Sequence, residues 1–400
     1  MRFLLLFSYL FFSVALSMGQ GPSDVSKSDM LKLDPERMAA NKRKLRSGDT
    51  DLQASLAELL KVADKLLKYK PVSVMDKKDF PPSGNKHDYM SLAPYWWPDP
   101  SKADGMPYIR KDGEINPEVK RYTDKENLPK LCENIYLLSI AYFYSGNEDH
   151  ARHASTLIRT WFIDTATKMN PHLNYGQSVK GVTEGRAEGL IDTRHFIYVV
   201  DAIGLLSPSK SWSAADHTSM QTWFAAFLDW MQTSAIGIDE MNAANNHGIW
   251  YEAQRLSYAT FIGDRKQADG IMQKVMLRMD KEMDDKGAFP LELNRTISLH
   301  YSIFILNAYL VIAELSAKTG TELWTAKTSS GKSLRKGMDF ILPYLSGKKS
   351  WEWKQIRPVN MHNALPLLLR GAQHFDCNEC PGIMQAAGGE ALEKSIIRLL

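Results

Sequence analysis

The strongest constraint on the fold is a series of helical segments that fills the chain from Leu128 to its last residue. Apolar residues in this region recur at three- and four-residue steps, and short breakers such as Ser145-Gly146-Asn147 and Gly263-Asp264 separate the segments. No strands alternate with these helices, which excludes Rossmann and β/α-barrel folds. The pattern predicts an all-α protein.

Three parts of the chain differ in character. Helical periodicity runs from about Leu33 to Tyr69, and an irregular, aromatic-rich stretch follows from Pro71 to Asn127. So long a loop inside a compact domain is usually functional. The helices predicted after it are Leu128–Tyr144, Glu148–Ile163, Gly189–Leu206, Ala214–Thr233, Asn246–Ile262, Arg265–Met283, Leu291–Lys318, Leu323–Leu345, Met361–His374 and Ala386–Leu400.

The segment Leu291–Lys318 carries apolar residues nearly all round a helix. Such a helix is buried among other helices. Successive helical hairpins with inner helices of this kind suit a two-layer α/α toroid.

The N-terminus carries a targeting pattern. Residues 1–19 combine a positive start, an apolar run too short to span a membrane and small residues near Gly19, which predicts a signal peptide. Residues 20–32 are polar and are expected to form a disordered linker, and residues 33–400 a single domain. The mature protein is expected to be soluble, without membrane attachment, in the periplasm or outside the cell.

The net charge and the three cysteines limit the kinds of molecule and metal that the protein is expected to bind. The formal charge, 49 − 46 = +3, is too balanced for a nucleic-acid-binding protein, but a local basic cleft can still bind an anionic polymer. Cys377 and Cys380, with His374, supply three of the four ligands that zinc needs. A local disulfide in an oxidising compartment is the simpler interpretation. No metal or cofactor is expected.

The first chemical cluster is Asn242-Ala-Ala-Asn245-Asn246-His247-Gly-Ile-Trp250. Asparagines favour helix starts, where free N–H groups and the helix dipole attract an anion. The alternative is a capping Asn and a hydrogen-bonded His with no role beyond structure.

The second cluster joins Arg295 to Tyr301. Six residues of an ideal helix turn about 600°, so the two would not share a helix face. We therefore expect Arg295 in the first turn or in the entering loop, with its side chain curling back. The alternative is a surface Arg and a core Tyr.

Further polar and aromatic residues could line a sugar-binding cleft. They could equally belong to an ordinary polar loop and to the core, where most tryptophans lie at least in part. The candidates are Tyr95, Trp96, Trp97, Asn174, Tyr175, Gln177, Arg186, Asn245 and Trp250.

Four segments carry a family resemblance. In order along the chain they are Tyr95-Trp-Trp-Pro-Asp-Pro100, Met169-Asn-Pro-His-Leu-Asn-Tyr-Gly-Gln177, Asn245-Asn-His-Gly-Ile-Trp250 and Arg295-Thr-Ile-Ser-Leu-His-Tyr301. Together they resemble the alginate-lyase-domain family of polysaccharide lyases, with features of a branch that includes glucuronan-active enzymes. The resemblance implies an (α/α) toroid and an exported enzyme without a metal. It carries catalytic roles over to Asn246, His247, Arg295 and Tyr301.

The expected reaction is β-elimination on a 1,4-linked polyuronate. Arg295 and Asn246 would neutralise the substrate carboxylate, and His247 and Tyr301 would move protons at C5 and O4. Two alternatives remain. One is a polyuronate-binding protein without catalysis. The other is an inverting glycoside hydrolase, which needs two carboxyl groups across the scissile bond. Its candidates are Glu188, Asp192, Glu252 and Glu292.

Overall fold

The computed structural model describes residues 30–388, 395–396 and 398–400. The predicted signal peptide and most of the predicted linker therefore lie outside the described residues. Within that linker, however, Met30 and Leu31 are buried in the hydrophobic core, and Lys32 forms an ion pair with Glu314. The folded domain thus includes at least three residues that were expected to be disordered, because two of them are apolar and find a place in the core.

The described chain is dominated by α-helices, which confirms the all-α prediction. They are α1 Pro35–Arg46, α2 Thr50–Leu66, α3 Thr123–Ser145, α4 Glu148–Ile158, α5 Phe196–Leu206, α6 Ala214–Thr233, α7 Ala235–Asn242, α8 Asn246–Phe261, α9 Arg265–Glu282, α10 Pro290–Leu293, α11 Ser298–Ser316, α12 Leu334–Leu345, α13 Leu365–His374 and α14 Cys380–Ala387.

Neighbouring helices pack in pairs to form the α/α toroid. Helix α3 packs on α4 and α5, and α8 packs on α9 and α11. The inner helix α11 is long and apolar enough to cross a membrane, but 72% of its apolar window is buried inside the protein. It is a core helix, as its all-round apolar pattern predicted.

Several predicted boundaries were wrong. The segment predicted as one helix, Leu291–Lys318, is broken between α10 and α11, and the helix predicted from Leu323 begins only at Leu334. Helix α7 was not predicted. Of the predicted helix Ala386–Leu400, residues 389–394 and 397 lie outside the described residues.

Four short strands lie in the irregular regions. Strand β1 (Met90–Leu92) pairs in parallel with β4 (Tyr175–Ser178), and β2 (Trp96–Trp97) pairs antiparallel with β3 (Ile109–Arg110). A hydrogen bond from the backbone N–H of Asn116 to the Pro94 carbonyl, 2.8 Å long, closes the base of the second pair. We call residues 94–116 the cleft hairpin.

The C-terminal cysteines, Cys377 and Cys380, form the predicted local disulfide. Cys132 is free and buried. Among the described residues, no group of three His, Cys, Asp or Glu side chains could hold a metal ion.

Candidate active site

A cavity of about 1080 Å³ lies along α11, from Tyr301 near the start of that helix to Glu314 near its end. The two are thirteen positions apart on the helix, about 20 Å at 1.5 Å per residue. The predicted site residues that line the cavity are Tyr95, Trp96, Gln177, Arg186, Asn245, Asn246, His247, Trp250, Arg295 and Tyr301.

Three predicted binding residues do not line it. Strand alternation turns Trp97 away from its neighbour Trp96, and the Trp97 indole donates to the Glu114 carbonyl over 3.0 Å. Asn174 accepts a hydrogen bond from the Trp230 indole, also over 3.0 Å. Tyr175 belongs to β4, where it pairs with Met90. These three predicted binding residues therefore lie outside the cavity lining.

The Asn-His pair occupies the first turn of α8, as predicted. The Asn245 side chain caps the helix and accepts from the His247 amide over 3.0 Å. Asn246 and His247 therefore sit at the positive end of the helix dipole, where an anionic group is favoured.

A buried carboxylate holds each member of this pair. Glu240, at 1% exposure, lies 2.7 Å from Nδ1 of His247. Glu292, fully buried, accepts from the backbone N–H of Asn246 over 2.6 Å and from its Nδ2 at 3.0 Å. Sequence reasoning missed Glu240 and gave Glu292 a different role, because nothing local marks either carboxylate as a partner of the Asn-His pair.

The Glu240 contact sets the protonation of His247. Burial acts to lower the pKa of His247, but Glu240 outweighs burial, so this pKa lies above its ordinary value. The same contact directs Nδ1 to Glu240 and leaves Nε2 for another partner.

Arg295 lies in the break between α10 and α11, and its guanidinium carbon is 3.7 Å from the centre of the Tyr301 ring. This confirms that the side chain curls back from the entering loop. The cause of the break lies in a distant part of the chain, since the Thr296 N–H and hydroxyl both bond to Asp112 of the cleft hairpin instead of continuing a helix.

Asp112 also binds Arg295 through two hydrogen bonds, of 2.6 and 3.2 Å. Burial acts to raise the pKa of Asp112, but Arg295 and Thr296 outweigh it, so the carboxyl stays ionised. Gly113 permits this approach, because its φ is +82° and a Cβ there would lie 2.5 Å from the Thr296 hydroxyl. Asp112 thus engages two of the five N–H donors of Arg295, which also lines the cavity.

The hydroxyls of Tyr301 and Tyr95 lie 2.9 Å apart. Burial raises the pKa of Tyr301, and Tyr95 adds to the effect, while Arg295 over the ring acts in the opposite direction. Tyr301 is therefore protonated before substrate binds, which is the state that an acid requires.

Unpaired polar groups face this site. Arg186 donates to Glu188 over 2.8 Å and to Gln177 over 3.1 Å, and it lies 5.9 Å from the Trp96 ring. Its Nε, Trp250 Nε1 and Asn246 Oδ1 are buried and have no hydrogen-bond partner among the described residues. Buried polar atoms without partners are rare, and a polar ligand would satisfy them.

Comparison with known proteins identifies the family. The sequence model of the family described as alginate lyase matches residues 73–351. No curated protein matches the chain. An alginate lyase structure from Bacteroides ovatus shares 35% identity, covers 93% of this chain and 99% of its own, and superposes with a TM-score of 0.86.

More distant structures share the fold. Alginate lyase A1-III from Sphingomonas species A1 is 16% identical, with a TM-score of 0.57 over 90% of this chain and 93% of its own. A histidine variant of alginate lyase A1-III in complex with a tetrasaccharide is 15% identical, with a TM-score of 0.59 over 90% and 91%. From the family match and the 35% identical structure, this chain belongs to the alginate lyase family.

Proposed function

We propose that the protein is a polysaccharide lyase that cleaves a 1,4-linked polyuronate by β-elimination. The observation that carries the proposal is that one cavity brings together His247 and Tyr301, each hydrogen-bonded to a group that sets its protonation. Residues far apart in sequence thus meet as an acid–base pair beside the positive end of α8.

The first task is to stabilise the negative charge that develops on the carboxylate when the C5 proton leaves. The start of α8 supplies this stabilisation through the His247 imidazolium and the Asn246 amide. Arg295 lines the same cavity and can add a donor to this carboxylate, and, held by Asp112 against the ring, it also stabilises the Tyr301 phenolate.

Proton transfer then depends on the stereochemistry of the substrate. Where H5 and O4 leave from the same face, as in β-D-mannuronate, Tyr301 first loses its hydroxyl proton to solvent. It then takes the C5 proton as a phenolate and gives that proton to O4, with His247 assisting. Where they leave from opposite faces, neutral His247 is the base, the Asn246 amide stabilises the carboxylate, and Tyr301 is the acid. In both cases the C5–H and C4–O bonds break, a C4=C5 double bond forms, and O4 leaves as a hydroxyl. In the second case His247 then returns the C5 proton to solvent and Tyr301 takes one up.

The hydrolase alternative loses support in the structure. Of its four candidate carboxylates, Glu252 and Glu292 do not line the cavity. Asp192 accepts from the Tyr89 and Ser91 hydroxyls and pairs with Lys125 at 3.1 Å. Glu188 pairs with Arg186. Each of the four is committed to a partner, whereas a hydrolase needs one free acid and one free base.

The direct test is ultraviolet absorbance of the unsaturated sugar end, measured on mannuronate-rich alginate, guluronate-rich alginate, glucuronan and glycosaminoglycans. A lyase raises the absorbance with one or more of them. Reducing ends that increase without this absorbance would indicate a hydrolase, and binding without either would indicate the binding protein.

The reaction is also proposed to need no metal, because side chains supply the charge stabilisation. Activity should survive prolonged chelator treatment unchanged. Loss of activity that added calcium restores would show that a metal carries part of this role.

We further propose that the protein is exported. The pattern of residues 1–19 supports this, and the disulfide between Cys377 and Cys380 suits an oxidising compartment. N-terminal sequencing of protein recovered from periplasmic and culture fractions tests it, with cleavage expected near Ser17 or Gly19.

A further inference from the structure

The amide of Asn246 points the wrong way for its proposed task. Asn246 lines the cavity, whereas Glu292 lies behind it. Nδ2 of Asn246 is 3.0 Å from both carboxylate oxygens of Glu292, so the donor faces away from the cavity. The acceptor, Oδ1, is buried and has no hydrogen-bond partner among the described residues. As Asn246 stands, its amide offers the substrate no donor, and its unpartnered oxygen would repel a carboxylate that approached it.

A half-turn of the amide corrects this only if Glu292 carries a proton. Turned round, Oδ1 would face both oxygens of an ionised carboxylate, which is repulsive. With a proton on Oε2, Glu292 donates to Oδ1, and Oε1 still accepts from the Asn246 backbone N–H. Nδ2 is then free to donate to the substrate.

We propose that Glu292 takes up one proton from solvent when a uronate carboxylate binds, and that this proton lets Asn246 turn its amide nitrogen toward the substrate. The inference rests on the proposed function and makes Glu292 a positioning residue for it. The proton returns to solvent when the product leaves, so the reaction consumes none.

The surroundings of Glu292 leave its protonation open to such a change. Burial raises its pKa, while the Asn246 hydrogen bonds, Arg295 and His247 act to lower it. Glu282, which is bound to Arg278, lies on the neighbouring helix α9 and adds negative charge. An incoming carboxylate adds another negative charge beside Glu292 and shifts the balance toward the protonated form.

The test measures proton uptake on binding. The Tyr301→Phe protein is titrated calorimetrically with a mannuronate tetrasaccharide, or a glucuronate tetrasaccharide if glucuronan is cleaved faster, in two buffers of different ionisation enthalpy. We expect uptake of about one proton. Above the pKa of free Glu292, Kd should rise by up to about tenfold per pH unit, as linkage to one proton requires.

The Glu292→Gln variant, made in the same Tyr301→Phe protein, tests whether Glu292 is the group that takes up the proton. Its carboxamide imitates the protonated acid, because the oxygen accepts from the Asn246 N–H and the nitrogen donates to Oδ1. We expect binding at least as tight as with Glu292, about one proton less taken up, and a flatter dependence of Kd on pH. Glu282→Gln is the control for the other carboxyl with a raised pKa nearby: uptake of about one proton should persist, over a range moved to lower pH because one neighbouring negative charge is gone.

Three results would overturn the inference: no uptake with Glu292 present, unchanged uptake in Glu292→Gln, or a tenfold weaker Kd in a folded Glu292→Gln protein. If Glu292→Gln does not fold, the other two buried carboxyls are tested instead. Proton uptake that persists in both Glu282→Gln and Glu240→Gln supports Glu292 as the proton acceptor. Proton uptake that is lost in either variant contradicts this assignment. Absence of cleavage and binding on every polyuronate would instead refute the proposed function.

Discussion

The two sides of the cavity are built differently. On the α8 side, His247 and Asn246 are held by two buried carboxylates, Glu240 on α7 and Glu292 on α10. On the α11 side, Arg295 and Tyr301 are held by Asp112 and Tyr95, both part-exposed residues of the cleft hairpin.

This difference suggests a division of labour. Buried carboxylates control protonation strongly because little water screens them. A hairpin positions groups by contact, and its strands of two residues each form few hydrogen bonds. We therefore expect changes on the α8 side to alter pH dependence, and changes on the α11 side to alter rate.

The largest effect is expected from Tyr301→Phe. It removes the proton-transferring hydroxyl and keeps the ring beneath Arg295, so kcat should fall by about 10²–10⁴-fold or more while substrate binding changes little. Turnover of the best polymer and Tm are the measurements. Tyr95→Phe is the control, since it removes the partner hydroxyl but leaves that of Tyr301. If Tyr301→Phe keeps most of its kcat, the proton is handled elsewhere.

A smaller loss is expected from Asp112→Asn. The neutral amide binds Arg295 more weakly, and misplacement of a catalytic group by about 1 Å can cost about 10²-fold in rate. We expect kcat to fall by about 10–100-fold without a shift in the pH profile, because Asp112 stays ionised across the working range. Asp104→Asn, an exposed change in the same hairpin, is the control. A pH shift with unchanged kcat would contradict the division of labour.

The same contrast explains what the sequence could predict. Asn246 and His247 were found because Asn245 caps a helix, a signal written in adjacent residues. The partners on the α11 side are 183 and 206 residues away from Arg295 and Tyr301 along the chain. No periodicity links positions so far apart.

The break before α11 was missed for a related reason. The apolar pattern continues through it, and the cause, Asp112, lies in another region. Trp97 was misplaced because the strands of the cleft hairpin are two residues long, too short to show the alternation that turns one Trp in and the next out. The fold class needed only helical periodicity, which the sequence displays at length.

The next effect, Glu240→Gln, tests the α8 side. Loss of the carboxylate lowers the pKa of His247, so whichever limb of the kcat/KM profile His247 controls should move to lower pH. On a substrate that needs the imidazolium, activity above the new pKa should fall by about tenfold per pH unit. Glu188→Gln is the graded comparison, because Glu188 also raises the pKa of His247 but contributes less than Glu240 and forms its ion pair with Arg186, so its shift should be in the same direction and smaller. A uniform loss at all pH values would show that Glu240 only supports the fold.

The thermal stability of the protein should depend on pH through the protonation of His247. The pKa of His247 is raised in the folded state, so its contribution is fully present below the unfolded value of about 6.5 and is lost as pH rises through the folded pKa. We expect the Tm advantage of wild type over Glu240→Gln to shrink as pH rises. Thermal unfolding at several pH values measures this, and an advantage that grows with pH would contradict the charge assignment.

The smallest effect separates the two tryptophans of β2. Trp96 lines the cavity and lies 5.9 Å from the Arg186 guanidinium, an arrangement worth about 0.5–1 kcal/mol at part-exposed sites, whereas Trp97 faces away. Trp96→Ala should therefore raise KM about two- to fivefold with kcat nearly unchanged. Trp97→Ala should leave KM unchanged and lower Tm, because it removes packing against Lys111 and the hydrogen bond to the Glu114 carbonyl.

Steady-state kinetics and thermal unfolding of both variants test whether the two tryptophans have different roles. Equal changes in KM for the two would mean that the hairpin acts as one unit, and the distinction between a sugar-facing and a supporting tryptophan would fall.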